Sequence, residues 1–389
     1  ESTKVPISSA AWVGAVTGKH PGINGVYSFM EPVEASYDVK LISSRSNQAS
    51  PLWRILGWNG MRSLVFNVPV TFPPEHVDGV MVGCMLSPFD ADYAYPAGLT
   101  ERLRARGFVP DLGVWREKRT GKLSFERVEE QLAIKEKILI ELLGEQDWDF
   151  SMIVFKDLDV WCHQAYDADL QGSVARHYEL LDATLGRLLA TVGADVDVVL
   201  MSDHGFEAYR KSFFIQPWLV QNGFAAQSTQ PNVTPLLDSA NLAERRAIEH
   251  QQLLEQLDLS RSAAFGLACE ANYGGIRLNI KGREPRGAIE PAQVERVRKQ
   301  LIDALLATRI EGRAGPVVTH VFRGEQLYPG PFAARLPDLV FELAPDIAAR
   351  SELAEVVYGE HTEPWSDHHL EGIFITAGPS FAARTERGD

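Results

Sequence analysis

Val196 to Met201 is a short run, apolar at nearly every position and rich in β-branched residues, that ends abruptly in Ser202-Asp203-His204-Gly205. A strand of that composition is expected where both faces of a sheet are covered, as in parallel α/β sheets. Such sheets keep their chemistry at the carboxyl edge. Asp203 and His204 fall at that edge, and Gly205 allows the sharp turn that follows, because it has no Cβ to clash.

The same alternation recurs along the first half of the chain. Leu64–Val68, Asp78–Cys84 and Asp149–Phe155 read as strands, while Leu52–Trp58 and Ala97–Arg106 read as short helices. Between Phe125 and Leu143, the residues Val128, Leu132, Leu139 and Leu142 form one apolar stripe at helical spacing. Val174, Tyr178, Leu181, Leu185 and Leu188 form another, leading into the strand at Val196. Strands alternating with helices of this length predict an α/β sandwich on a mostly parallel central sheet, with helices on both faces.

Residues 207–290 differ: polar loops, a charged helix around Ala243–Leu257 and a β-like run Gly275–Ile280. They are expected to form an inserted cap or substrate subdomain, leaving 1–206 and 291–389 as the catalytic core. Beyond them lie an amphipathic helix (Val294, Val297, Leu301, Leu305) and strand candidates at Val317–Phe322 and Leu339–Leu343. A last strand, Gly372–Pro379, follows Ser366-Asp367-His368-His369.

With 389 residues, a net charge of −14 and no Lys/Arg block, the chain is not expected to track a nucleic-acid polymer. An anionic substrate would need local positive charge, which bound metal ions supply inside an acidic protein. Cys84, Cys162 and Cys269 are widely spaced, with no Cys-x-x-Cys, which argues against a disulfide framework or a zinc knuckle and makes a reducing cytoplasm the default location. No apolar run of about 18 residues suits a membrane span, and the start shows no signal-peptide pattern.

Three strand ends now carry acid and imidazole together: Asp159 with His163, Asp203 with His204, and Asp367 with His368 and His369. Such groups are costly to bury unless paired or metal-bound. Imidazole nitrogen with carboxylate oxygen suits zinc, and also manganese or iron. Asp159 and His163 are four apart, so a helical turn projects both from one face. Near the start, Ser8 and Ser9 precede a helix from about Ala10 to Val16. Either serine reads as an N-cap or as a nucleophile beside the positive end of the helix dipole. A hydroxyl held by two metal ions about 4 Å apart is the arrangement phosphoryl transfer requires.

In order along the chain these motifs resemble the type I phosphodiesterase/nucleotide pyrophosphatase family of the alkaline phosphatase superfamily. Pro6-Ile7-Ser8-Ser9-Ala10-Ala11-Trp12 resembles its nucleophile turn, with Ser8 where Thr is usual. Asn67–Pro74, Gly79–Val82, Asp159-x-x-x-His163, Ser202–Phe206, Gly275–Gly287 and His368-x-Leu370-Glu371-Gly372-Ile373 complete the series. The resemblance implies an alkaline-phosphatase-like fold and hydrolysis of a small organic phosphate ester or nucleotide-like substrate. It implies two divalent ions, zinc in the first place: one held by Asp159, His163 and His368, the other by Asp203 and His204 and meeting Ser8. Attack by Ser8 would give a phosphoserine intermediate. His369 stands where relatives carry other polar residues.

The family pattern also places a strand with a further metal-binding Asp ahead of the nucleophile turn, and a closing segment after the last strand. Neither falls within residues 1–389, so the chain is expected either to be part of a longer protein or to hold the second ion incompletely. The Asn that grips phosphate in nucleotide pyrophosphatases would fall near Phe29, which withholds their nucleotide preference. A sulfatase is unexpected because the nucleophile position lacks Cys. The alternatives are a catalytically silent, metal-poor relative that binds a phosphorylated partner, and a phosphonate hydrolase or phosphotransferase on the same fold.

Overall fold

The all-buried hexapeptide Ser63–Val68 forms the strand on which the first part of the protein is built. Its β-branched and aromatic side chains have no solvent face to serve, so it sits inside a sheet. The computed structural model describes residues 2–88, 90–112, 123–145, 147–229, 242–267, 270–352 and 354–381. Cys269 lies outside them. The chain divides into two compact units: residues 1–2, 50–206 and 369–389 form the first, residues 3–49 and 207–368 the second. The second opens with helix α1 (Ser8–Thr17).

In the first unit, β1 (Ser63–Val68), β2 (Gly79–Gly83), β3 (Ala94–Tyr95) and, later in the chain, β4 (Phe150–Ile153) form one sheet in the order β3-β2-β1-β4. β1 runs parallel to both β2 and β4, while β3 returns antiparallel along β2. Helix α2 (Phe125–Glu145) buries its stripe of Val128, Leu132, Leu139 and Leu142. Leu139 and Leu142 pack into one core cluster with Leu64, Phe66, Val80 and Val82. Helix α3 (Asp157–Ala165) starts four residues after β4, and α4 (Ala175–Val192) leads to β5 (Val198–Met201).

β5 departs from the expectation of a strand covered on both faces. Among the described residues it pairs with one strand, Phe374–Ala377, and antiparallel, Phe374 opposite Met201. With a single neighbour it stays partly open, and Val199 is 51% exposed. Parallel pairing in this unit is thus concentrated at β2-β1-β4.

The second unit holds β6 (Gly205–Phe214, its first two residues in the first unit), β7 (Ala264–Gly266), β8 (Tyr273–Leu278), α5 (Val294–Ala307), β9 (Val318–Arg323), β10 (Leu339–Leu343) and β11 (Ile347–Arg350). Four of these strands make an antiparallel sheet, β9-β10-β8-β7. Its core gathers Phe213, Ile276, Leu278, Leu301, Leu305, Leu339, Phe341 and Leu343. A Cβ at Gly274 would meet the Phe341 ring at 2.2 Å, so the absence of a side chain there is what lets that ring seat. β6 pairs in parallel with β11. Because β8 is laddered to β10 from Tyr273–Glu342 to Ile276–Leu339, the segment 207–290 belongs to the same unit as 318–343. This compact unit runs from 207 to 368 and takes in 3–49.

Candidate active site

In the first unit, the step from β4 into α3 puts Asp159 in the first helical turn and His163 one turn on. Their nearest atoms, Asp159 Oδ1 and His163 Nε2, lie 3.6 Å apart. At the end of β5 the Ser202 hydroxyl accepts the Ile373 N–H at 2.9 Å, which fixes the turn that presents Asp203 and His204. Gly205 is required there by close approach: a Cβ would meet the Glu371 carbonyl oxygen at 2.1 Å.

His204 is buried. Its Nδ1 lies 3.0 Å from the Gly205 carbonyl oxygen. A carbonyl can only accept, so Nδ1 carries a proton, and in the neutral ring that leaves Nε2 the lone pair a metal ligand needs. That Nε2 faces Asp203 Oδ2 at 3.3 Å and Asp159 Oδ1 at 3.8 Å. Asp203 Oδ2 is buried without a hydrogen bond. Charge-assisted hydrogen bonds run at about 2.7–2.9 Å, so these separations are too long for one. Ligand atoms about 2.0–2.2 Å from a tetrahedral zinc lie roughly 3.3–3.6 Å from each other, which the 3.3 Å of Asp203 Oδ2 from His204 Nε2 and the 3.6 Å of Asp159 Oδ1 from His163 Nε2 match, while the 3.8 Å from Asp159 to His204 is longer than one shared tetrahedral ion gives. Two carboxylates and an imidazole lone pair converging in a buried place repel one another unless a positive ion is shared. The residues present fit a divalent metal.

Phe206 completes this group. Its ring meets the His163 ring edge-on at 5.0 Å and the His204 ring at 5.8 Å, so one apolar plane holds both imidazoles.

In the second unit, Ser8 is the first helical residue of α1; the N-cap is Ile7, with no side-chain cap. The N-cap reading of Ser8 and Ser9 is thereby replaced: both lie inside the helix and are buried. Two residues before Ser8, the Pro6 carbonyl oxygen takes a hydrogen bond from His368 Nδ1 at 2.7 Å. By the same logic the neutral His368 ring keeps its lone pair on Nε2. The Glu270 carboxylate lies 3.2 Å from the same Nδ1. Further along the main chain, the Tyr209 hydroxyl donates to the His368 carbonyl at 3.0 Å. Asp367 Oδ1 accepts the His368 N–H at 2.8 Å, and Oδ2 accepts the Ala271 N–H at 3.1 Å. His369 Nδ1 accepts the Glu371 N–H at 3.3 Å, a local contact that leaves it out of the His368 arrangement.

The sequence matches the type I phosphodiesterase/nucleotide pyrophosphatase family over residues 2–367. The chain belongs to that family. It is accordingly a hydrolase of phosphoric ester bonds. Among solved structures it is similar to phosphonoacetate hydrolase from Sinorhizobium meliloti 1021, in complex with phosphonoacetate, at TM-score 0.62 and 15% identity, over 99% of this chain and 82% of that one. It is also similar to human ectonucleotide pyrophosphatase/phosphodiesterase 5, at TM-score 0.52 and 12% identity, over 98% and 79%. At such identities the likeness is one of fold, alkaline-phosphatase-like. No curated protein sequence matches. No helix among the described residues is long and apolar enough to cross a membrane.

Within the two units the six sequence candidates fall into two groups: Asp159, His163, Asp203 and His204 in the first, Ser8 and His368 in the second. Sequence reasoning missed Phe206, Glu270 and the Pro6 carbonyl. Phe206 was visible as part of the Ser202–Phe206 motif but carries no titrating group. A backbone carbonyl 362 positions from His368 leaves no sequence signal.

Proposed function

We propose that this family member is a metal-dependent phosphodiesterase or related phosphohydrolase of small organic phosphates, with Ser8 as nucleophile. The observation that carries the metal dependence is the close approach of Asp203 Oδ2, buried without a hydrogen bond, to Nε2 of a buried His204, with Asp159 Oδ1 and His163 Nε2 3.6 Å apart beside them. The roles follow the order of the family motifs: Asp159, His163 and His368 for one divalent ion, Asp203 and His204 for another. Zinc suits this donor set best, with manganese or iron as substitutes. When bound, such ions lower the pKa of a coordinated hydroxyl and stabilise charge on the phosphoryl oxygens.

The chain's own residues do the rest. Ser8 Oγ, at the N-terminal turn of α1, forms a bond to phosphorus as the ester bond to the leaving alcohol breaks; the positive end of the helix favours its anionic form. The phosphoserine is then cleaved by water, which restores the hydroxyl. Gly205 O and Pro6 O hold the tautomers of His204 and His368. The segment 207–290, which supplies Glu270 beside His368, shapes the substrate side.

Hydrolysis of bis-p-nitrophenyl phosphate by the parent chain and Ser8→Ala tests this. The variant is expected to lose about 10³-fold or more in kcat, the scale seen when catalytic groups are removed, and parent activity in Ser8→Ala would sink the reading. Phosphonoacetate, offered in parallel, separates ester hydrolysis from carbon–phosphorus cleavage: faster turnover of the phosphonate would move the chain to the alternative chemistry.

A further inference from the structure

Lys135 stands on the buried stripe of α2, between Leu132 and Leu139, where the helical period calls for an apolar residue. Its Nζ lies 2.7 and 2.8 Å from the two carboxylate oxygens of Asp157, and the two side chains are 1% and 2% exposed. Asp157 is the first residue of α3. The residue before it, Lys156, is the N-cap and pairs with Asp111 at 2.6 Å. Two successive residues of opposite charge are therefore each clamped by a partner from elsewhere in the first unit.

Such pairs are poor stabilisers. Taking both charges out of water costs about as much as their attraction returns, and apolar replacements are often neutral or better. What a two-oxygen clamp does supply is direction. An α-helix turns about 100° per residue, so Asp159 lies roughly 200° and His163 roughly 240° around α3 from Asp157. Both face away from the clamp. Lys156, one residue before Asp157, lies at about 260° on the same count, roughly 20° from His163, and gives a second bearing on that side; two bearings fix the rotation of a short helix about its axis.

We propose that Lys135 and Asp157, assisted by Lys156 and Asp111, are positioning residues that set the rotation of α3 and so aim Asp159 and His163 at the metal site. The inference rests on reading Asp159 and His163 as metal ligands. It accounts for a buried ion pair on a helix face that is mostly aliphatic, and for its place at the first turn of the helix that carries both residues. The 3.6 Å and 3.8 Å approaches of Asp159 Oδ1 to His163 and His204 depend on that rotation.

The test is zinc titration of the full chain, parent against Lys135→Met/Asp157→Leu, with melting temperature and kinetics measured alongside. The variant is expected to melt at or above the parent temperature while zinc affinity drops about tenfold or more, the scale for residues that orient ligands, and kcat falls more than KM rises. Parent zinc affinity and kcat in the folded variant would overturn the proposal. If the apolar pair does not fold, Lys135→Gln/Asp157→Asn takes its place, where a loss of about threefold or more in zinc affinity is expected and none would overturn it. Asp159→Asn is the control. Full zinc affinity there would mean that the metal reading itself has failed, a result distinct from an insensitive Lys135/Asp157 variant.

Discussion

The antiparallel sheet of the second unit and the α2–α3 layer of the first are both buried, yet they are filled differently. The sheet's core face is apolar, with Ile276, Leu339, Phe341 and Leu343 packed together and Phe213 of β6 against them. Beside it buried carboxylates are each held by an arginine: Arg283 grips Asp338 with two hydrogen bonds of 2.8 and 2.7 Å, and Arg277 meets Glu284 at 3.0 Å. The α2–α3 layer instead buries Lys135 against Asp157, and beside them His177, both of whose ring nitrogens lack a hydrogen bond. The difference is that the lysine–aspartate pair of the first layer stands at the start of a helix that carries candidate ligands. The first layer carries Asp159 and His163; the sheet carries no candidate ligand.

The contrast is sharpest in the cost of truncation. Phe341→Ala removes a fully buried ring from a closely packed sheet and is expected to lose about 3–5 kcal/mol of unfolding free energy in urea, whereas the apolar replacement of Lys135 and Asp157 is expected to lose none. A Phe341→Ala loss below about 1 kcal/mol would mean that the sheet core is far looser than its packing implies.

A smaller effect separates the two regions by pH. Burial pushes the His177 imidazole down to about 4, with Asp157 opposing the shift. The unfolded imidazole titrates near its ordinary value of about 6.5. Between those values the unfolded chain binds a proton that the folded chain refuses. Stability from this group is therefore complete above about pH 6.5, falls by about 3 kcal/mol as the pH drops towards 4, and levels off below that. His177→Leu is expected to remove this part of the slope, measured as the difference between parent and variant urea midpoints across the window. An unchanged difference at pH 7 and pH 4.5 would refute it.

Much of the first unit is legible in the sequence because its signals are local. Ser63–Val68, Gly79–Gly83 and Phe150–Ile153 are short apolar runs, and the stripe on α2 repeats at 3.6 residues, so period alone places them. Asp159 and His163 are legible for the same reason, being one helical turn apart. Pairing is not local. That β5 joins Phe374–Ala377 antiparallel, that β8 ladders to β10 across the expected boundary at 290, and that 3–49 groups with 207–368 all depend on contacts between distant residues. Lys135 escaped notice because a lysine on a helix is ordinarily solvated; only its partner, 22 residues on, makes it a core residue. Ser8 is legible as lying at a helix start but not as the first residue inside it, since a cap is decided by one backbone torsion.

The most direct test of the account is metal dependence at the Asp203 turn. Chelator-stripped protein and Asp203→Asn are assayed on bis-p-nitrophenyl phosphate while bound metal is counted by elemental analysis. The account predicts that the stripped parent is inactive and recovers with zinc or manganese, and that Asp203→Asn binds less metal and stays inactive at concentrations that restore the parent. Full activity in rigorously stripped protein, or parent metal content and activity in Asp203→Asn, would contradict it.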